Sequence, residues 1–82
     1  MSVNRHLVKA IVDIALFLEY TNSELLDEDT AVEAMEQLAA ELQQMAEGDK
    51  QQLTKQIVGF STSYEQPQSQ FVEGLPEALG LA

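Results

Sequence analysis

Residues 7–18, LVKAIVDIALFL, contain two charged side chains, Lys9 and Asp13, and are otherwise apolar. A helix built from them is apolar around most of its circumference, so most of its circumference has to be covered. Helical spacing sets Val3, Leu7, Ile11, Ile14 and Leu18 on the main buried face. Ala10 and Phe17 widen that face on one side. Val8, Val12 and Ala15 extend it on the other, and Leu16 falls close to the polar stripe of Arg5, Lys9 and Asp13. One packing partner covers a stripe of roughly 100°. A helix over 3–20 is therefore either the central helix of its domain or meets another chain through a surface formed by Val8, Val12, Leu16 and Tyr20.

The chain has 82 residues, which predicts one domain over 1–82. A domain of this size buries only about 60% of the surface its unfolded chain exposes. Small domains commonly add a disulfide, a metal or a second subunit. With no cysteine in the sequence, disulfides and thiolate metal sites are excluded. Self-association is the simplest staple left, and a homodimer through the first helix is expected. The lack of cysteine fits a reducing cytoplasm. The apolar run is shorter than the ~20 residues of a spanning helix and holds a Lys and an Asp, so no membrane span is expected. Asp13 inside the run, with no small-x-small site before Asn22, argues against an export signal.

Charge is unevenly distributed. Four basic residues face 14 acidic ones, a net of −10. Residues 1–20 balance, whereas residues 21–48 carry Glu24, Asp27, Glu28, Asp29, Glu33, Glu36, Glu41 and Glu47 and no basic side chain. Such a field repels nucleic acid phosphates and anionic membranes. It favours a basic protein as partner and speeds the encounter. The alternative is that the acidic surface only maintains solubility.

The rest of the chain is helical in pattern. Residues 21–29 read as a connection, with Leu25 and Leu26 tucked against the core. A second helix is expected from Thr30 to Glu47, opened by the Thr30/Glu33 capping-box spacing, with Asp27 or Asp29 as alternative caps, and ended by a left-handed Gly48. Met35, Leu38, Leu42 and Met45 form its apolar stripe, flanked by Ala31, Ala34 and Ala39. A third helix after Asp49 carries Leu53, Ile57, Phe60 and Tyr64 on one face, with Gly59 marking a close crossing. The short Gly48-Asp49 junction predicts an antiparallel hairpin of helices two and three. Residues 69–82, SQFVEGLPEALGLA, predict one or two short helical turns anchored by Phe71, Val72, Leu75, Leu79 and Leu81. Pro76 suits the first position of the last turn and Gly80 its end.

No motif in the sequence carries chemistry. His6, the only histidine, has neither nucleophile nor carboxylate beside it in sequence and reads as an exposed residue. A calcium loop starting at Asp27 would need glycine at its sixth position and glutamate at its twelfth, where Val32 and Leu38 stand. Glu33 and Glu36 have the residue types of a glycosidase pair, but that chemistry needs a cleft that so small a helical domain rarely encloses. Met35 and Met45 read as core fillers or as an adaptable binding surface. No catalytic, cofactor or metal residue is assigned.

Three segments, VKAIVDIALFLEY, LDEDTAVEAMEQLAAELQ and FVEGLPEALGL, cover about half the chain. In these segments the chain resembles a group of short bacterial proteins of uncharacterised function, which implies a compact helical fold and no activity. In size, charge and helicity it is similar to small acidic helical immunity proteins that neutralise secreted toxins. The expectation is an all-α fold of three main helices plus a short C-terminal helix, dimeric, cytoplasmic and not an enzyme. The expected function is non-catalytic protein binding, as an immunity- or antitoxin-type inhibitor with Asp27, Glu28, Asp29, Glu33, Glu36, Glu41 and Glu47 as the acidic partner face. The alternative is a structural or adaptor subunit that associates through an apolar helix surface.

Overall fold

The computed structural model describes residues 4–82. Val3, expected on the buried face of the first helix, lies outside them. Among the described residues the protein is all-α, with no strand. Four helices run in the order α1 (Arg5–Tyr20), α2 (Glu28–Leu42), α3 (Glu47–Phe60) and α4 (Gln68–Ala78), with a 3₁₀ turn at Ser61–Ser63 between α3 and α4.

Helix α1 starts where Asn4, in extended conformation, accepts hydrogen bonds from the backbone N–H groups of His6 (2.8 Å) and Leu7 (3.4 Å). These are two of the donors that a helix start leaves without an internal partner. α1 packs against α2, α3 and α4, which makes it the central helix, one of the two alternatives its composition leaves open. Its inward face, however, is Val8, Val12 and Ala15, all fully buried. Leu7 is 63% exposed and Ile14 and Phe17 are each 54% exposed. The assignment of Val8 and Val12 to a subunit interface is thereby corrected. Val8 and Val12 are core, Leu16 packs against the core, and exposed Tyr20 sets its ring edge-on to Phe71 of α4, 5.7 Å between centroids.

Two features explain the rotation. The buried arc holds no side chain larger than valine, and Ala15 leaves room for a neighbouring helix. The polar edge of α1 also has fixed partners beside α3. The Arg5 guanidinium lies over the Phe60 ring at 5.0 Å, and Tyr64 donates to Asp13 at 2.8 Å. Together they turn α1 so that the arc between them and Ala15 faces inward.

α3 and α4 supply the rest of the core. Leu53, Ile57 and Phe60 meet Val72, Leu75, Leu79 and Leu81 in one cluster with Val8, Val12 and Ala15. Tyr64 and Phe71 pack on its border. The C-terminal segment is a helix of 11 residues rather than one or two turns, and Pro76 sits inside it, buried, rather than opening a turn. Gly80, at φ 72°, ends the helix as its position suggests. The Leu81 N–H donates to the Pro76 carbonyl at 2.8 Å and the Gly80 N–H to that of Glu77 at 3.0 Å, the paired bonds of a Schellman motif.

Helix α2 differs from expectation at both ends. Asp27 is its cap, accepting from the Thr30 N–H at 3.0 Å and the Thr30 hydroxyl at 3.2 Å, so the helix opens at Glu28 rather than Thr30. It closes at Leu42 because the chain tightens there, with Gln44 N–H bonding Glu41 and Met45 N–H bonding Leu42. Gly48 and Asp49 consequently fall in the first turn of α3, not at a left-handed stop. Neither Gly48 nor Gly59 has an atom within 4 Å of the place a Cβ would occupy, so Gly59 marks no close crossing. Helices α2 and α3 form no packed hairpin. Each lies against α1 instead, and α3 also packs against α4.

Candidate functional site

The acidic residues expected to form a partner face are all exposed, but they do not converge. Asp27 is committed to capping α2. Glu28 and Asp29 occupy the first turn, where the helix dipole favours anions. Asp29, Glu33 and Glu36 follow one another by four and three residues and share the outward face of α2. Glu41 lies off that face, and Glu47 belongs to α3, where its carboxylate takes a 3.2 Å contact from Lys50. The result is a negatively charged helix whose carboxylates do not gather in one place. Among the described residues no group of three or more His, Asp or Glu side chains is placed to hold a metal ion. His6 is exposed on the first turn of α1.

The clearest polar constellation joins α1 to the segment that follows the 3₁₀ turn. Lys9 Nζ is 2.8 Å from both carboxylate oxygens of Asp13, and the Tyr64 hydroxyl donates to Asp13 Oδ1 at 2.8 Å. Lys9 also lies 5.4 Å from the centre of the Tyr64 ring. The hydrogen bond from Lys9 holds the Asp13 carboxyl below the usual aspartate range, and the same bond raises Lys9. Burial is the main cause of the raised Tyr64 phenol. Lys9, Asp13 and Tyr64 are bonded to one another, an arrangement that ties α1 to the segment after α3.

Sequence reasoning missed the most distinctive surface. Leu7, Ala10, Ile11 and Ile14 of α1 form one wall of an open groove. Leu38 and Leu42 of α2, with Met45 beyond it, form the other, and fully buried Leu53 closes the bottom. The volume is about 380 Å³ and every lining side chain is apolar. Local sequence explains both walls. Leu7, Ala10, Ile14 and Phe17 are spaced three, four and three, as are Met35, Leu38, Leu42 and Met45, and both patterns draw an apolar stripe along a helix. A second, smaller hollow lies across α1, α2 and α4, between Leu18, Val32, Met35 and Phe71, with Glu19 and Glu36 at its edge.

Why the groove stays open follows from the way α2 is held. No residue of α2 is fully buried. Met35, Leu38, Ala39 and Leu42 rest partly covered against the core, and Val32 is 56% exposed. Beyond this packing, the Gln43 side-chain amide donates to the Leu79 carbonyl at 2.9 Å and ties the end of α2 to the end of α4. α2 therefore rests on the core only partly covered, and apolar residues along its border with α1 stay open to solvent. The signal was present in the sequence as the 3-4-3 spacing of Leu7, Ala10, Ile14 and Phe17, but the same residues also fit a buried face. Among the described residues no helix is long and apolar enough to cross a membrane. No family model matches this chain, no curated protein matches it in sequence, and no solved structure matches its fold.

Proposed function

We propose that the protein is a non-catalytic protein-binding module of the adaptor or structural type, acting in a reducing compartment such as the cytoplasm, and that its contact surface is the apolar groove between α1 and α2. The supporting observation is that Leu7 and Ile14, more than half exposed, stand beside Leu38, Leu42 and Met45 in a continuous lining with no polar group. Scattered exposed leucines are ordinary, whereas a contiguous apolar hollow is the mark of an interaction site. The test is a paired affinity purification from the native host, with the wild-type chain and a Leu7→Gln/Ile14→Gln variant as baits. The expected outcome is a partner retained by the first and lost by the second, whose purified form repeats that difference. A partner that binds both baits equally tightly would remove the groove from the account.

A second reading keeps the immunity- or antitoxin-type inhibitor. What supports it is the outward row of Asp29, Glu33 and Glu36 on a helix with no lysine or arginine. In that reading capture by a basic toxin surface is fast and salt-sensitive. Binding then survives Leu7→Gln/Ile14→Gln and is lost on Glu33→Gln/Glu36→Gln. The opposite pattern rules it out.

A further inference from the structure

Resting on the reading of the groove as the contact surface, we infer that its occupant is a cationic amphipathic helix from a different protein rather than a second copy of this chain. The shape sets the kind of ligand. The wall from Leu7 to Ile14 is two helical turns long, about 10 Å, and the facing wall from Leu38 to Met45 has the same length in sequence. A trough of that length receives residues i, i+3 or i+4, and i+7 of one incoming helix, the spacing by which amphipathic helices seat in apolar grooves.

Charge selects among such helices. The α2 wall belongs to a helix with Glu28, Asp29, Glu33, Glu36 and Glu41 and no basic residue. Glu41 lies three residues after Leu38 and one before Leu42, and Asp49 one turn before Leu53, so each is within a turn of a lining residue. No lysine or arginine lines the trough. Of the four in the chain, Arg5 lies over Phe60, Lys9 is held by Asp13, and Lys50 reaches Glu47. Lys55 lies beside Leu81 and Ala82 at the far side of α3. The trough thus has Glu41 at the border of its α2 wall, with little cationic compensation, on a chain of net charge −10. Two copies meeting groove to groove would each bring a net charge of −10 and set one uncompensated α2 against the other. A helix whose flanks carry Lys or Arg gains attraction at the same border where a second copy meets repulsion.

The test titrates the full chain with two synthetic peptides of about 14 residues that share one leucine stripe at i, i+3, i+4 and i+7 spacing. One carries lysine at its remaining positions and the other glutamate. The expected result is binding of the lysine peptide at least roughly tenfold tighter than the glutamate peptide, weakening severalfold between roughly 50 and 300 mM salt. Leu7→Gln and Ile14→Gln should each weaken it about fivefold or more without altering the charge. Both sites are more than half exposed, and an unchanged helical circular dichroism spectrum separates lost contact from lost fold. Equal affinity for the two peptides overturns the cationic occupant while leaving the groove in place. Lysine-peptide binding indifferent to both glutamine variants overturns the groove itself, because it assigns the attraction to diffuse surface charge. A dimer at low micromolar concentration that Ile14→Gln dissociates overturns the inference in favour of a second copy.

Discussion

The α3–α4 pair and α2 show two ways for a helix to belong to one small fold. α3 and α4 bury Leu53, Ile57, Val72, Leu75 and Leu79 completely. α2 is as long as α3 but buries no residue fully, and its carboxylates have no cationic neighbour on the same helix. Like charges one turn apart, such as Asp29 with Glu33, weaken an isolated helix slightly. In a chain of this length most helix stability comes from packing an apolar face. α2 has therefore given up packing on the edge that borders the groove. The core is built from α1, α3 and α4, and α2 is laid onto it, leaving an apolar surface that a closed four-helix bundle would have consumed.

Truncating one leucine in each region is the strongest way to break that contrast. Leu75→Ala removes a fully buried side chain and should cost about 2–5 kcal/mol, against a total stability of about 4–12 kcal/mol for a chain of this length. Leu42→Ala, on the half-covered wall, should cost about 1 kcal/mol, the transfer term of a partly buried leucine. Urea unfolding of both variants reads the difference directly. Equal losses would mean that α2 is as integral to the core as α4, and the division into core and applied helix would fall.

The tie between the two regions is smaller and can be tested by itself. Gly80 adopts φ 72°, and a Cβ there would run into the Gln43 side chain, whose amide bonds the Leu79 carbonyl. Gly80→Ala therefore strains the left-handed cap and displaces the one long-range polar bond from α2 to α4. A cost of about 1–2 kcal/mol is expected, a fall in melting temperature of roughly 5–15 °C. Gln43→Ala removes the bond without the strain and should cost about 1 kcal/mol or less. If the two variants melt alike, the backbone conformation contributes nothing and the polar tie accounts for the whole effect.

What the sequence made legible follows the same division. Leu53, Ile57 and Phe60, and Val72, Leu75, Leu79 and Leu81, are readable as core because polar neighbours bracket each stripe and leave one orientation. Gly80 is readable as a stop because it follows a short apolar helix. α1 is not readable in that way. Its apolar arc is wider than its packing partners cover, so periodicity fixes the helix but not its rotation. The rotation depends on Arg5 finding Phe60 and Asp13 finding Tyr64, contacts between residues about fifty positions apart. Hence Val8 and Val12 exchange roles with Leu7 and Ile14, while the excess of apolar surface that their abundance implies remains, on the opposite face. The end of α2 was misplaced because Gly48 is the conventional stop, whereas the chain turns earlier through backbone bonds at Gln44 and Met45 that no residue type signals.

The link from Asp13 to Tyr64 gives the smallest expected effect and the one whose sign depends on pH. Asp13 is held below its ordinary pKa, chiefly by the Lys9 hydrogen bond, so its contribution is complete above about pH 4 and disappears as pH falls through the lower, folded-state value. Lys9 and Tyr64 are both raised, so theirs is complete below about pH 10 and disappears as pH rises through the folded-state values. Wild type should exceed Asp13→Asn by about 0.3–0.5 kcal/mol across the plateau between these limits, a small margin because Lys9 and Asp13 are substantially exposed. The two proteins should converge once pH has fallen through the folded-state value of Asp13. Salt separates the two regions further. Raising it screens the Lys9–Asp13 attraction and also the repulsion along α2, so amide exchange should slow in α2 relative to α1. If instead both helices respond to salt in the same direction, the unneutralised carboxylates are not what weakens α2, and its shallow packing alone distinguishes it from the rest of the fold.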